Sequence, residues 1–179
     1  MDKQNYGMAA VLMHWLAVLF IVAVFPLALW MGDLEKGPEK AQVLVWHQSV
    51  GLMILALVVL RLVWRGVYGA PQHAISGLLD KLAAVVQIAL YGFMVLVPIV
   101  GWMTLSAGGH PVTFFGWFSL PDLLNHNHTL HETLGDVHQF LAYTFLALIA
   151  VHIAGALKHH FIMHDDVMAR MMPWLKTRK

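Results

Sequence analysis

Four of the chain's 12 histidines lie inside strongly apolar stretches, and these are the side chains whose type and spacing could do chemistry. His14 and His47 each lie six residues from the start of an apolar run, and His152 lies six residues before the lysine that ends another. His138 precedes His152 by 14 residues, which on a helix leaves the two within about 40° of one face and about 21 Å apart. An ionisable side chain in a membrane helix is costly, so each of the four indicates a functional site that faces other helices.

Four hydrophobic runs must position these histidines, and each is long enough to cross a membrane. A helix rises about 1.5 Å per residue and the hydrocarbon layer is about 30 Å thick, so about 20 residues suffice. The predicted spans cover about residues 8–31, 41–64, 82–105 and 131–158. Charged residues make up only 12% of the chain, against roughly 25% in a typical soluble domain. The sequence therefore predicts an all-α membrane protein, with residues 1–179 forming a single four-helix bundle.

The basic residues predict the orientation of this bundle. Arg61, Arg65 and Lys81 lie near the end of the second span or between it and the third, and Lys158 ends the fourth span with four more Lys and Arg residues after it. The long connection 106–130 contains no Lys or Arg. By the positive-inside rule, both termini are therefore cytoplasmic. The first run ends in Leu29-Trp30-Met31 rather than in small residues, which favours a retained span over a cleaved signal peptide.

The depths of the four histidines predict two haem sites. His14 and His152 share the cytoplasmic level, whereas His47 and His138 share the outer level. Two b-type haems require such pairs, because each iron takes one imidazole from either side of a flat macrocycle. The chain has no cysteine, which excludes c-type haem attachment, iron–sulfur clusters and thiolate zinc sites. A bis-histidine iron has no open position for oxygen, so the predicted chemistry is electron transfer.

These histidines have two other interpretations, a packing role and a metal-ion transport site. A single membrane histidine is most simply a packing residue that bonds across to a hydroxyl or a carbonyl, but matched depth in two pairs favours haem. A zinc or other metal-ion transporter would need acidic partners at mid-membrane, and the apolar cores contain no Asp or Glu. Gly51 and Gly155 could let a macrocycle approach the backbone, although ordinary helix packing explains them equally well. The net charge of +1 gives no basis for nucleic-acid binding.

The motifs around these histidines resemble the bacterial cytochrome b561 family, which comprises four-helix di-haem membrane proteins and includes superoxide oxidase. The resemblance covers almost the whole chain. The matching motifs are His14-Trp15, His47-Gln48-Ser49-Val50-Gly51, Leu90-Tyr91, Pro98, Gly101-Trp102, Leu130-His131-Glu132, His152, Ala156-Leu157-Lys158-His159-His160-Phe161 and Arg170-Met171-Met172-Pro173. The resemblance implies a multi-pass protein of the bacterial inner membrane. It also implies axial ligation by His14 and His152 at the inner haem and by His47 and His138 at the outer haem.

The resemblance further implies electron exchange between a periplasmic donor and a membrane quinone such as ubiquinone. The chain would then be an oxidoreductase of the superoxide:quinone type. Alternatively, it would be a non-catalytic cytochrome b anchor that exchanges electrons with a partner dehydrogenase or carrier. Superoxide is an anion and would be attracted by a positive outer surface, but Lys36 and Lys40 are offset there by six acidic residues. The charge pattern therefore does not itself indicate superoxide.

His131 is an alternative outer ligand, because it lies one heptad before His138 and so nearly on the same helix face. Many family members have a His-Glu pair at the start of the fourth span, which here is His131-Glu132. The 21 residues from His131 to His152 correspond to about 31 Å, which would stretch the two haems across more than the hydrocarbon layer. The spacing therefore favours His138.

Cationic side chains at the span ends could hold haem propionates or a quinone headgroup. The inner candidates are Arg61, Arg65, Lys158, His159 and His160, and the outer ones are Lys36, Lys40, His126, His128 and His131. The inner arginines and Lys158 would equally serve as topology signals without any haem. The stretch that holds His126, His128 and His131 could bind a metal ion. A helix start capped by Asn127 or Thr129, with Glu132 in the first turn, explains the same residues.

Overall fold

Four long helices dominate the computed structural model, which describes residues 7–69, 77–164 and 167–172. They are α1 (Met8–Asp33), α2 (Pro38–Tyr68), α3 (Leu78–Ala107) and α4 (His128–Lys158), and a π-helical turn, His159–Met163, continues α4. Two short strands, β1 (Thr113–Phe114) and β2 (Phe118–Ser119), lie between α3 and α4. Each of the four helices is long and apolar enough to cross a membrane, which confirms the predicted four-helix membrane architecture.

The helices extend beyond the predicted spans, because an apolar run marks only the part of a helix that lies in hydrocarbon. Helix α2 begins at Pro38, a residue suited to a first helical turn, and ends before Gly69, whose φ of 75° a larger side chain would resist. Helix α4 begins three residues earlier than predicted. There the side-chain oxygen of Asn127 accepts a hydrogen bond from the backbone N–H of Leu130, 3.0 Å away. The ends are thus set by capping residues rather than by hydropathy.

The helices pack as two pairs, α1 with α2 and α3 with α4, and the pairs are joined along α2 and α3. Side chains from all four helices meet in one core, which includes Ala17, Val58, Met94 and Phe145. In the described part of the chain, however, the α4 backbone does not come within 8 Å of the α1 or α2 backbone. At the backbone, helix α4 is therefore closer to α3 than to the two helices that carry His14 and His47.

The connection between α3 and α4 folds back onto α2 as a β-hairpin, which the sequence analysis did not predict. Strands β1 and β2 are antiparallel, and Phe115 and Gly116 in the turn both have positive φ. The hydroxyl of Ser49 accepts a hydrogen bond from the backbone N–H of Phe115 at 2.8 Å. The side-chain amide of Gln48 donates a hydrogen bond to the Thr113 hydroxyl at 2.9 Å. Because Gln48 and Ser49 directly follow His47, the hairpin packs on α2 at the level of that histidine. We call this end of the bundle the loop end, and the opposite end, with Arg61, Arg65, Lys81 and Lys158, the basic end.

Candidate functional site

His47 on α2 and His138 on α4 form a pair of imidazoles near the loop end. Their ring centroids are 6.3 Å apart and their planes are inclined by 82°. Two metal–imidazole bonds of roughly 2 Å, plus roughly one ångström from each nitrogen to its ring centre, add up to about 6 Å. The separation thus fits one metal ion held between the two rings.

Both rings of this pair are oriented by backbone carbonyls. His138 Nδ1 lies 3.1 Å from the carbonyl oxygen of Val97, and His47 Nδ1 lies 3.3 Å from that of Val24. A protonated Nδ1 that donates to a carbonyl leaves the lone pair of Nε2 free for a metal. The His138 ring also lies against the backbone of Gly101, where a Cβ would approach Cε1 of the ring to 2.9 Å.

The surroundings of the pair fit a flat macrocycle better than a bare ion. The pair bridges α2 and α4, whose Cα atoms stay more than 8 Å apart in the described residues. A Cβ placed on Gly51 or on Gly155 would meet no atom within 4 Å, as expected if these glycines border open space. The side-chain oxygen of Gln48 is buried and has no hydrogen-bond partner among the described residues. These features fit a b-type haem held by an imidazole on either side.

His14 and His152 lie near each other toward the basic end, close enough to interact electrostatically. They come from α1 and α4, which are also separated at the backbone. The Arg61 guanidinium donates a hydrogen bond to His14 Nδ1 at 3.2 Å. Because arginine can only donate, His14 here carries its proton on Nε2, unlike the arrangement that suits His47 and His138.

The C-terminal segment reaches the same region. The Trp15 indole N–H donates to the carbonyl oxygen of Met171 at 2.8 Å, and the Trp15 ring meets His14 edge-on with centroids 5.6 Å apart. The turn at residues 167–171 is thereby held beside α1 at the level of His14. Trp15 and Met171 belong to separate sequence motifs, and nothing in their spacing indicated that the two would be in contact.

The cationic candidates at the basic end occupy different positions. Arg61 and Arg65 both lie over the ring of Tyr91, at 5.5 and 6.0 Å from its centroid. Lys158 is exposed at the end of α4, and His159 and His160 follow in the π-helical turn. These last three residues lie six to eight positions beyond His152, about 9–12 Å along the helix. Arg61 is therefore the candidate that the structure brings into contact with a histidine of the pairs.

His131 lies beside His110 rather than beside His47. The two ring centroids are 6.1 Å apart, and His131 Nδ1 lies 2.8 Å from the carbonyl oxygen of Thr104. Gly108 packs against the His131 ring as Gly101 packs against that of His138. The two α4 histidines thus have the same kind of local environment one heptad apart, and only His138 has a histidine from another span as its neighbour.

The histidines at the start of α4 and just before it make local contacts. Asn127 caps the helix, as one of the alternatives in the sequence analysis had it, and the exposed His128 forms an i,i+4 pair with Glu132 at 3.7 Å. His126 packs near Gly109. Within residues 7–69, 77–164 and 167–172, no group of three or more His, Asp or Glu side chains is arranged to hold a metal ion.

Gly101, Val97 and Gln48 are site residues whose contacts the sequence analysis did not anticipate. Gly101 had been noted as part of a motif, and only packing shows that its missing side chain makes room for His138. Backbone carbonyls such as that of Val97 carry no sequence signal, because every residue has one. The partner of Gln48, Thr113, is 65 residues away and could not be paired from spacing.

Comparisons with known proteins agree on one family. The profile of prokaryotic cytochrome b561 matches residues 5–174. The chain is 31% identical to cytochrome b561 homolog 2 of Escherichia coli over 178 residues, covering 94% of this chain and 92% of that protein. It is 27% identical to a probable superoxide oxidase, CybB, of Yersinia pestis over 172 residues, covering 95% and 97%. It is also 32% identical over 126 residues to cytochrome b562 of Cereibacter sphaeroides, covering 70% and 65%.

Proposed function

The chain belongs to the prokaryotic cytochrome b561 family, and from this premise we propose that it binds two b haems and passes electrons between a periplasmic donor and a membrane quinone. As a member of this family with four apolar helices, it is a multi-pass b-type cytochrome of the bacterial inner membrane and takes part in electron transport. The proposal adds the number of haems, their ligands, the direction of transfer and the two substrates.

The observation that carries the proposal is the facing pair of His47 and His138. Their 6.3 Å separation, between helices whose Cα atoms stay more than 8 Å apart, fits an iron held from both sides. The carbonyl contacts at both Nδ1 atoms leave Nε2 as the ligating nitrogen. We assign the outer haem to this pair and the inner haem to His14 and His152.

The inner pair requires one rearrangement before it can ligate a metal through Nε2 of His14. The bond from Arg61 to Nδ1 holds the His14 proton on Nε2, so this contact must be replaced when a metal takes that nitrogen. A guanidinium released in this way is available for a carboxylate at the same level of the bundle. Arg61 is therefore our first candidate for an inner propionate, ahead of Lys158, His159 and His160.

Bound haem would supply a one-electron couple that the side chains lack. The chain would hold the haem, orient it and surround it with apolar side chains. The two histidine pairs would hold the irons, and irons held by two imidazoles would have no open position for oxygen. The apolar faces of the four helices keep water from the electron path. His138 and His152 lie about 21 Å apart along α4, which stacks the two sites across the membrane.

With superoxide as donor, two superoxide anions would lose one electron each and become two molecules of oxygen. One quinone would gain both electrons and take two protons from water to become the quinol. The positive-inside rule places the basic end in the cytoplasm, so superoxide would react at the loop end. The name of the Yersinia relative supports this donor. Arg61, Lys158, His159 and His160 are the candidates for contact with the quinone headgroup.

A second function is favoured by the charges at the loop end. The Lys40 ammonium donates a hydrogen bond to the carbonyl oxygen of Leu34, and three acidic residues lie in or beside the same loop: Asp33, Glu35 and Glu39. A diffusing anion would find little attraction there. An anchor that receives electrons from a docked protein needs no such attraction, so the alternative is a cytochrome b subunit for a dehydrogenase or carrier.

Two measurements test these proposals. Reduced-minus-oxidised spectra and pyridine hemochrome should give two b haems per chain, and a pigment-free protein would refute the proposal. His138→Ala should lose one haem and His131→Ala should keep both, whereas the reverse would move the outer ligand to His131.

Stopped-flow mixing with superoxide should reduce the haems at a near-diffusional rate if the chain is the enzyme. No reduction would favour the anchor.

A further inference from the structure

A cleft of about 210 Å³ lies between α2 and α3 at the basic end, apart from the four histidines. It is lined by Leu62, Arg65, Gln87, Ile88 and Tyr91. Three of these side chains are hydrogen-bond donors: a guanidinium, an amide and a phenol. Together these side chains suit a ligand that supplies hydrogen-bond acceptors.

Arg65 lines this cleft, and a second positive charge, that of Arg61, lies near its Tyr91 wall. The guanidinium groups of Arg61 and Arg65 both lie within 6.0 Å of the centroid of the Tyr91 ring. Among the side chains that the structure describes, neither arginine is paired with a carboxylate. A positive charge beside apolar surface is less screened than in water, so the site favours an anion.

The cleft opens onto the lipid-facing surface rather than toward the bundle core. Ile88 is 72% exposed and Leu62 is 42% exposed, and the exposed apolar residues Val59, Val63 and Val85 surround them. A small aqueous anion would gain nothing from such walls. A ligand with a charged headgroup and a hydrocarbon tail would satisfy both the donors and the walls.

We propose that this cleft binds an anionic phospholipid from the leaflet at the basic end. The Arg65 guanidinium pairs with the phosphate, Gln87 and Tyr91 donate to the remaining headgroup oxygens, and an acyl chain lies along Leu62 and Ile88. Basic pockets between transmembrane helices on the cytoplasmic side suit such headgroups. A quinone ring would be a poorer occupant, because it is neutral and would leave the guanidinium charge of Arg65 uncompensated.

The proposed lipid separates the roles of the two arginines. With Arg65 neutralised from the lipid side, Arg61 is left to face His14 in the interior, where it already donates to Nδ1. The inference does not depend on the proposed electron donor or on the number of haems, since it follows from charge and exposure at the cleft alone.

Native mass spectrometry of the purified holoprotein in detergent tests the proposal. The protein is titrated with palmitoyl-oleoyl phosphatidylglycerol, and separately with the matching phosphatidylcholine, in 0.3 M ammonium acetate to screen long-range attraction. The wild type should retain one phosphatidylglycerol in preference to phosphatidylcholine. Arg65→Gln should bind it about tenfold or more weakly, because a hydrogen bond to a charged group is lost.

Lys81→Gln is the matched control, since it removes the same charge at the same end but lies outside the cleft lining. It should bind phosphatidylglycerol within about twofold of the wild type, because the remaining long-range attraction is screened. Should Arg65→Gln lose haem or helix content, Gln87→Leu replaces it, and about fivefold weaker binding is then expected.

Three results would overturn the proposal. Equal binding by Arg65→Gln and wild type would exclude the guanidinium as a ligand. Equal losses in Lys81→Gln and Arg65→Gln would indicate diffuse attraction without a site. Displacement of one phosphatidylglycerol by one decylubiquinone would assign the cleft to quinone instead.

Discussion

Replacing Gly101 with alanine is expected to remove the outer haem and leave the inner one. The new Cβ would lie 2.9 Å from Cε1 and 3.1 Å from Nδ1 of His138. Ordinary van der Waals contact begins near 3.4 Å, so the ring must shift by about 0.5 Å, the difference between 3.4 and 2.9 Å. Metal–ligand distances are held to within about 0.2 Å, so this shift is enough to break ligation.

The expected magnitude follows from the same contact. The shift also strains the bond from His138 Nδ1 to the Val97 carbonyl, which is 3.1 Å long and orients the ring. Loss of such an orienting partner typically weakens metal binding by about 10- to 100-fold. Alanine is otherwise better than glycine within a helix, by roughly 0.5–1 kcal/mol. A loss of haem would therefore report the displaced imidazole and not a weaker helix.

The assay is the haem content of purified protein by pyridine hemochrome, with the low-spin signals in electron paramagnetic resonance identifying which haem remains. Gly108→Ala is the matched control, because its Cβ, just past the end of α3, would lie 2.7 Å from Nδ1 of His131 on α4. It displaces the α4 histidine that we do not assign as a ligand, so both haems should remain. A Cβ at Gly92 would meet no atom within 4 Å, so Gly92→Ala should leave the haem content unchanged.

Two results would refute this reasoning. Retention of both haems in Gly101→Ala, with unchanged signals, would show that the His138 ring is not an iron ligand held by this contact. Loss of a haem in Gly108→Ala alone would assign the outer iron to His131.

Three further predictions concern other contacts of the structure. His47→Ala should retain one haem per chain, and added imidazole should restore the second in the visible spectrum; failure of both would argue against an outer site on α2. Ser49→Ala leaves the backbone N–H of Phe115 without its acceptor, so a thermal melt should show a loss of about 1–3 kcal/mol. Thr133→Ala, which removes only a bond within its own helix, should change the melt far less. Asn127→Ala should cost about 1 kcal/mol in the same melt and Asn127→Asp should cost little, because the aspartate oxygen also caps the helix.

Much of the fold could be predicted because a membrane imposes a simple rule on sequence. A backbone in hydrocarbon must satisfy its own hydrogen bonds, so an apolar run of sufficient length becomes a helix. All four predicted spans are helices in the structure. Their ends were less predictable, because local caps such as Asn127 and Gly69 decide where each helix stops.

The hairpin at the loop end could not be predicted from this rule. Residues 106–127 lack a long apolar run, and hydropathy says nothing about where such a segment packs. Contacts of Gln48 and Ser49 with residues about 65 positions later hold the hairpin against α2. These bonds join residues far apart in the sequence, so no local pattern encodes them.

The sequence by itself determined the four helices, the depth of each histidine and the face that His138 shares with His152, because helical rise and periodicity depend only on position along the chain. It could not distinguish His131 from His138 by periodicity, since residues one heptad apart lie on nearly the same face. Tertiary structure placed His138 beside His47 and His131 beside His110. It did so because the offset between α2 and α4 depends on packing between helices, including the contact of His138 with Gly101, and not on the repeat within either helix.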